Sequence, residues 1–401
     1  MHILFVHQNF PAQFGHIASF LTRTGRFKCT FISRTAPGEV GGVRKIQYDV
    51  KGGAARANHY FSRTFENNIW HAWGVFEACR ATKGLKPDLI VGHSGFGSTL
   101  YLNEMYKKTP VINYFEYFYH TRGTDMDFRK EFPSRPVDML RAKTRNAMIL
   151  LDLHNCRFGY SPTQWQRSLF PAEYQPKIEC IFDGIDTNLF QRRLGIERKV
   201  GDRVIPPGTR IVTYVSRGFE SMRGFDIFMR VAKKIYTENP NVIFVCVGSE
   251  RTCYGNDLRF IKTKTFKEHV LAQDEYDMSK FIFTGLVPPR TLVDILSMGD
   301  LHIYLTVPFV LSWSLVNSLS CGCTVLASDT PPVREFITNG RNGFLEGFND
   351  MEKLTERALQ VLEAPEKYRP LGEAGANLVR QRYDLRKTLP RLLNLFERAV
   401  E

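Results

Sequence analysis

Short apolar and β-branched runs alternate with amphipathic stretches along most of this chain. His2-Ile-Leu-Phe-Val6 has no polar position after its first residue, the pattern of a strand buried on both faces. Residues 14–24 place their apolar positions at helical spacing, and residues 27–33 return to a strand pattern. The alternation predicts further strands at 89–92, 111–114, 158–161 and 178–182. Helices are predicted at 68–82, 98–107, 136–155 and 163–169. Strand then helix, repeated, argues for a parallel sheet covered on both faces.

The pattern breaks over residues 190–208, a charged stretch that ends in Pro206-Pro207-Gly208, a loop signal. A second series then begins, with strands at 210–216, 241–248, 280–285, 301–305, 324–328 and 343–346. Helices are expected at 224–238, 289–298, 312–320, 332–339, 351–363 and 366–381. The fold class is therefore α/β, with two doubly wound domains, 1–189 and 190–382. The amphipathic last segment, 383–401, is expected to pack back across the junction. Such sheets bind ligands beyond the carboxyl ends of their strands, so the cleft between two facing domains is the expected active site.

Composition narrows the class. The 401 residues are 43% hydrophobic, 13% aromatic and 24% charged, which suits two folded cores and excludes a disordered chain. No apolar run is long enough to span a membrane. The first residues lack the basic region and long apolar stretch of a signal peptide, so a cytoplasmic protein is expected. The net charge of +13 is uneven: residues 1–115 hold 14 Lys and Arg against 6 Asp and Glu. That surplus is either a solvated surface or a face that meets an anion: phospholipid head groups, a lipid diphosphate or nucleic acid. The eight cysteines lack zinc-knuckle spacing and read as reduced, mostly buried thiols. No G-x-G-x-x-G turn follows a strand and no Walker loop occurs, which argues against a dinucleotide oxidoreductase and a P-loop enzyme.

Several strand-end positions carry candidate chemistry. Phe309 to Ser314 reads as a loop feeding a helix start, where backbone amides and the helix dipole meet an anion. Tyr214-Val-Ser-Arg-Gly-Phe-Glu-Ser-Met-Arg-Gly-Phe225 is a strand and loop carrying Arg217 and Arg223 beside Gly218 and Gly224. In the first half, His93 follows a strand, and Glu116 sits among aromatic residues, where a carboxylate is either paired or placed at a cleft. His120 and Arg122 follow it. Gln8, Asn9 and Gln13 lie on the first strand-to-helix loop.

These motifs, in this order, resemble the family-four glycosyltransferases, enzymes with the GT-B fold of two facing Rossmann-like domains. The resemblance rests on Phe281-Ile-Phe-Thr-Gly-Leu286, on the run Pro308 to Cys323, on the Arg217–Arg223 loop and on Phe182-Asp-Gly-Ile-Asp186. A narrower subgroup shares His7-Gln-Asn-Phe-Pro11, Gly92-His93, the Tyr114-Phe-Glu116 block and the Pro308-Phe-Val-Leu-Ser-Trp313 loop. The resemblance implies retaining transfer of a sugar, UDP- or GDP-linked, to a hydroxyl acceptor. The nucleotide sugar is then a co-substrate, and no cofactor or metal is required. It implies that Arg217 and Arg223 hold the donor diphosphate. His93 would face the donor sugar, and Glu116 would orient or deprotonate the acceptor. Gly218, Leu286, Phe309, Val310, Leu311, Ser312, Trp313 and Asn317 would line the donor site, and Gln8, Asn9, Gln13, His120 and Arg122 the acceptor side.

One departure bears on the donor. The wider family carries two glutamates where this chain has Phe309 and Asn317. Asparagine still accepts from a ribose hydroxyl but without charge assistance, a loss of about 1 kcal/mol. Two acceptor readings follow from the basic first domain, a lipid-linked or surface glycan at the inner membrane face or a hydroxylated base in DNA, and Asn317 adds a third reading, a sugar-nucleotide binder with weak catalysis.

Overall fold

The structure, a computed structural model, describes residues 1–401. It divides into two compact units. Unit one comprises residues 1–122, 134–183 and 388–401. Unit two comprises residues 123–133 and 184–387.

Unit one is built on eight strands: β1 (His2–Val6), β2 (Lys28–Ser33), β3 (Gly38–Val40), β4 (Val43–Gln47), β5 (Leu89–His93), β6 (Val111–Tyr114), β7 (Phe158–Ser161) and β8 (Ile178–Cys180). Their order is β3-β4-β2-β1-β5-β6-β7-β8, parallel except for the β3–β4 pair. Residues 3–6 are fully buried, as expected for a parallel strand covered on both faces. The edge hairpin departs from the predicted elements. Val40 pairs with Val43 across Gly41-Gly42, both at positive φ, the backbone that a two-residue hairpin needs and that glycine adopts without strain. The helix expected at 98–107 shrinks to Leu102–Met105, because the chain spends residues 94–101 on turns.

Unit two carries the short hairpin β9 (Lys199–Val200) and β10 (Arg203–Val204), followed by six parallel strands. These are β11 (Arg210–Gly218), β12 (Val242–Ser249), β13 (Phe281–Gly285), β14 (Leu301–Tyr304), β15 (Val325–Ser328) and β16 (Phe344–Glu346). The order β13-β12-β11-β14-β15-β16 is the doubly wound arrangement of a Rossmann-like domain. A helix over Phe266–Ala272 adds to the predicted set. Its Thr265 side chain accepts from the Glu268 amide, a cap that satisfies one orphan donor of the first turn. The last helix, Leu385–Val400, is counted with unit two over its first three residues and with unit one beyond them. No helix is long and apolar enough to cross a membrane.

His302 of β14 lies fully buried between sheet neighbours. Its Nδ1 is 2.9 Å from Thr213 Oγ1, and its Nε2 has no partner. Burial opposes protonation and holds its pKa at about 3. The unfolded chain takes up this proton near pH 6.5, so the stability it contributes is complete above that pH and falls as the pH drops toward 3. Urea unfolding of wild type between pH 7 and 5 should show this loss. His302→Leu should reduce the slope by up to one proton, about 1.4 kcal/mol per pH unit.

Candidate functional site

In each unit a set of polar residues gathers where the strand order reverses, the place at which doubly wound sheets bind ligands. In unit one the reversal lies between β1 and β5, which pair in register at Val6 and Gly92. The next residues, His7 and His93, therefore come side by side, with ring centroids 5.3 Å apart. His7 is buried, and its Nδ1 accepts from the Asn9 amide at 2.9 Å. Burial, with a smaller contribution from His93, lowers its pKa to about 3 and keeps it neutral.

His93 is only 3% exposed. Its Nδ1 lies 2.9 Å from the Ser94 carbonyl, which can only accept, so the ring proton belongs on Nδ1. Nε2 is left as a buried acceptor with no hydrogen-bond partner, 3.7 Å from Glu116 Oε2. A proton on Nε2, or one donor hydroxyl between the two atoms, would join them. Glu116 is half-buried at the end of β6.

The turn after His93 is held by Asp152, a residue absent from the sequence-based set. Its buried carboxylate accepts from Ser94 Oγ at 2.9 Å and the Gly95 amide at 2.8 Å. Burial lifts its pKa to about 6, against those hydrogen bonds. A lone Asp inside Ile149-Leu-Leu-Asp-Leu153 was the available signal, since a carboxylate in an apolar run needs donors.

The other first-half candidates spread out. Gln8 and Gln13 are half-buried and Asn9 is exposed on the loop after β1. His120 donates from Nε2 to the Leu169 carbonyl at 2.7 Å. With Arg122, Lys143 and Asn146 it lines a cavity of about 360 Å³ whose walls include neither His93 nor Glu116.

In unit two the reversal lies between β11 and β14. Arg217 is exposed near the end of β11, and Gly218, the last residue of the strand, is buried. Adding a Cβ at Gly218 would bring it within 2.1 Å of the Arg251 carbonyl, so the position requires glycine. Arg223 is 4% exposed. It donates to Thr306 Oγ1 at 2.6 Å and to the Val310 carbonyl at 3.2 Å, and lies 5.2 Å from the Tyr254 ring centre. These hydrogen-bond partners are neutral; the buried Glu220 carboxylate favours the cation from nearby without hydrogen-bonding it. Tyr254 also packs on Phe309, centroids 5.5 Å apart, and joins the site although its sequence context gave no hint of it.

The loop following β14 buries Phe309, Val310 and Leu311. Ser312 caps the helix Trp313–Ser320, accepting from the Ser314 amide. Trp313 and Leu286 are exposed, Leu286 by 68%. Asn317 is buried on that helix, and its Oδ1 has no partner. Glu220, fully buried, accepts at Oε2 from the amides of Cys253, Tyr254 and Gly255 and so fixes the loop that carries Tyr254.

The expectation that no metal is required rested on the absence of an Asp-x-Asp motif, yet that spacing occurs at Asp125-Met126-Asp127. Asp127 is engaged as a helix cap, accepting from the Gly123 and Thr124 amides. No group of three or more His, Cys, Asp or Glu side chains is placed to hold a metal ion.

Comparison with known proteins places these sites in a family context. Residues 25–190 match the profile of the glycosyl transferase family 4 group, and residues 196–378 that of glycosyl transferases group 1. An uncharacterized glycosyltransferase of Methanocaldococcus jannaschii is 25% identical over 173 residues, 42% of this chain and 41% of that protein. The N-acetyl-alpha-D-glucosaminyl L-malate synthase of Bacillus anthracis is 20% identical over 208 residues, 51% of this chain and 50% of that protein. The chain thus spans half or less of the length of these curated relatives. Among solved structures, sucrose-phosphate synthase from Thermosynechococcus elongatus superposes with a TM-score of 0.76 at 15% identity, covering 99% of this chain and 98% of that one. Anabaena HepE, solved with UDP and glucose, superposes with a TM-score of 0.71 at 14% identity, covering 99% of both chains.

Proposed function

Since the chain belongs to the family-four glycosyltransferases with the GT-B fold, we propose that it transfers a sugar from a nucleoside diphosphate donor to a hydroxyl acceptor with retention at the anomeric carbon. The observation that carries the donor reading is Arg223, a buried guanidinium whose hydrogen bonds end on neutral oxygens at the strand reversal of unit two. Burying a cation that no carboxylate hydrogen-bonds is unfavourable; the nearby Glu220 carboxylate offsets part of that cost, and a bound diphosphate would offset more. The complex of HepE with UDP and glucose makes UDP the first nucleotide to test.

In this reading Arg217 and Arg223 balance the charge that grows on the leaving diphosphate. The amides ahead of the helix Trp313–Ser320 add dipoles in the same sense. Asn317 Oδ1 accepts a ribose hydroxyl. The acceptor hydroxyl attacks from the face that the diphosphate leaves, and the departing phosphate takes the proton. The protein contributes positioning and charge, with His93 and Glu116 oriented to hold sugar or acceptor hydroxyls. No step calls for a metal ion. The acceptor proposed is a lipid-linked or surface glycan handled at the inner membrane face, a reading supported by the basic surplus in residues 1–115.

A thermal-shift panel of UDP- and GDP-sugars tests the donor. The best donor is then incubated with lipid-linked acceptors and with hydroxymethylated DNA, and NMR of the product reads the anomeric configuration. Inversion would overturn the stereochemical claim, and transfer to DNA alone would overturn the glycan acceptor. Asn317→Ala should weaken UDP binding about fivefold, close to 1 kcal/mol for one neutral hydrogen bond, as read by calorimetric titration. Unchanged affinity would remove Asn317 from the donor site.

A further inference from the structure

Residues 123–133 belong in sequence to the first half, yet they pack in unit two. Two aromatic anchors hold them there. Phe128 meets Phe348 edge-on at 5.3 Å, and Phe132 meets Phe260 and Phe266 at 5.7 and 5.4 Å. Between the anchors, Arg129 is 4% exposed, its guanidinium 5.0 Å from the Phe132 ring centre and 5.1 Å from that of Phe348.

Arg129 reaches the loop that carries Arg223. Its two terminal nitrogens donate to the two carboxylate oxygens of Asp226, at 3.2 and 2.7 Å, a bidentate pair. The nitrogen with the longer of these bonds also donates to the Ser221 carbonyl at 2.7 Å. Ser221 is held from its other side by Asp257, which accepts from the Ser221 amide at 2.8 Å and its hydroxyl at 2.5 Å. The Ser221 carbonyl also accepts the Gly224 amide, closing the turn in which Arg223 sits. Gly224 has φ +61°, and a Cβ there would come within 2.8 Å of Leu305 Cβ, so the turn packs tightly onto the end of β14. Ser221 and Arg223 thus share one hydrogen-bonded turn.

We propose that Arg129 is a positioning residue for the donor-diphosphate loop, acting through Ser221 and Asp226 to fix the guanidinium of Arg223. The proposal rests on the donor reading above. Lysine cannot reproduce a bidentate pair plus a third hydrogen bond in fixed geometry, so Arg129→Lys separates geometry from charge. The double variant Arg129→Met with Asp226→Asn removes the pair without leaving a buried charge alone.

The test compares UDP with uridine, and GDP with guanosine, by NMR titration of wild type and both variants. Both variants are expected to bind the diphosphate at least tenfold more weakly and the nucleoside within twofold of wild type. A purely structural role would lower the two affinities together or leave both unchanged, and either result overturns the proposal. Failure of wild type to bind either diphosphate would overturn the donor reading itself, before any variant is compared.

Discussion

Arg217→Ala is expected to reduce kcat/KM for sugar transfer by a factor of 10² to 10³, with little change in unfolding midpoint. One cation aimed at charge that develops in the transition state contributes about 3–4 kcal/mol to the barrier. Arg217 is exposed at the end of β11, so its removal opens no cavity in the core. Steady-state kinetics on the best nucleotide sugar, alongside urea unfolding, measures both quantities. Wild-type turnover in Arg217→Ala would remove the donor diphosphate from this strand end. Arg223→Ala is a poorer probe, because Arg223 also ties Thr306 to the Val310 carbonyl, and its loss disturbs the loop as well as the charge.

Arg129→Ala is expected to lower unfolding free energy by about 3–5 kcal/mol, the usual result of stranding one partner of a buried ion pair. Arg129 and Asp226 side chains are 4% and 3% exposed, so little water reaches the carboxylate left behind. Arg230, 3.8 Å from Asp226 and 42% exposed, offsets part of this. Arg129→Met with Asp226→Asn should recover much of the loss, since both charges leave together. Denaturant unfolding of wild type, Arg129→Met, Asp226→Asn and the double variant, at one pH and salt concentration, gives the coupling, with Arg129→Ala measured alongside. Equal stability of Arg129→Ala and the double variant would show that the stranded carboxylate carries no penalty, and a coupling energy near zero would show that the pair contributes nothing.

Most of the strands and longer helices were legible in the sequence, several to the residue: His2–Val6, Val111–Tyr114, Phe158–Ser161, Pro136–Asn155 and Pro289–Met298. Each is a short run of mostly apolar or aromatic residues or a helical stripe bounded by a stop signal. The Val40–Val43 hairpin and the Thr265-capped helix had signals too, a Gly-Gly turn and a Thr-x-x-Glu box, but both are short and polar. The positions of His93, Arg217 and Gly218 at or beside strand ends follow from the pattern, because strand ends are local features, whereas their place in a site came from the family resemblance. The environment of Asn317 follows from neither: its unpartnered oxygen becomes visible only once the helix is packed.

The sequence by itself determined that two doubly wound sheets form and, to within about two residues, where most of their predicted strands end. That information is carried by periodicity within ten or twenty positions. Only the tertiary structure decided that residues 123–133 join unit two, that Asp152 underpins the turn after His93, and that Arg129 meets Asp226, 97 positions away. A buried charge must find its partner wherever the folded chain brings one within hydrogen-bond reach. That condition is set by packing in three dimensions and leaves no periodic trace along the chain.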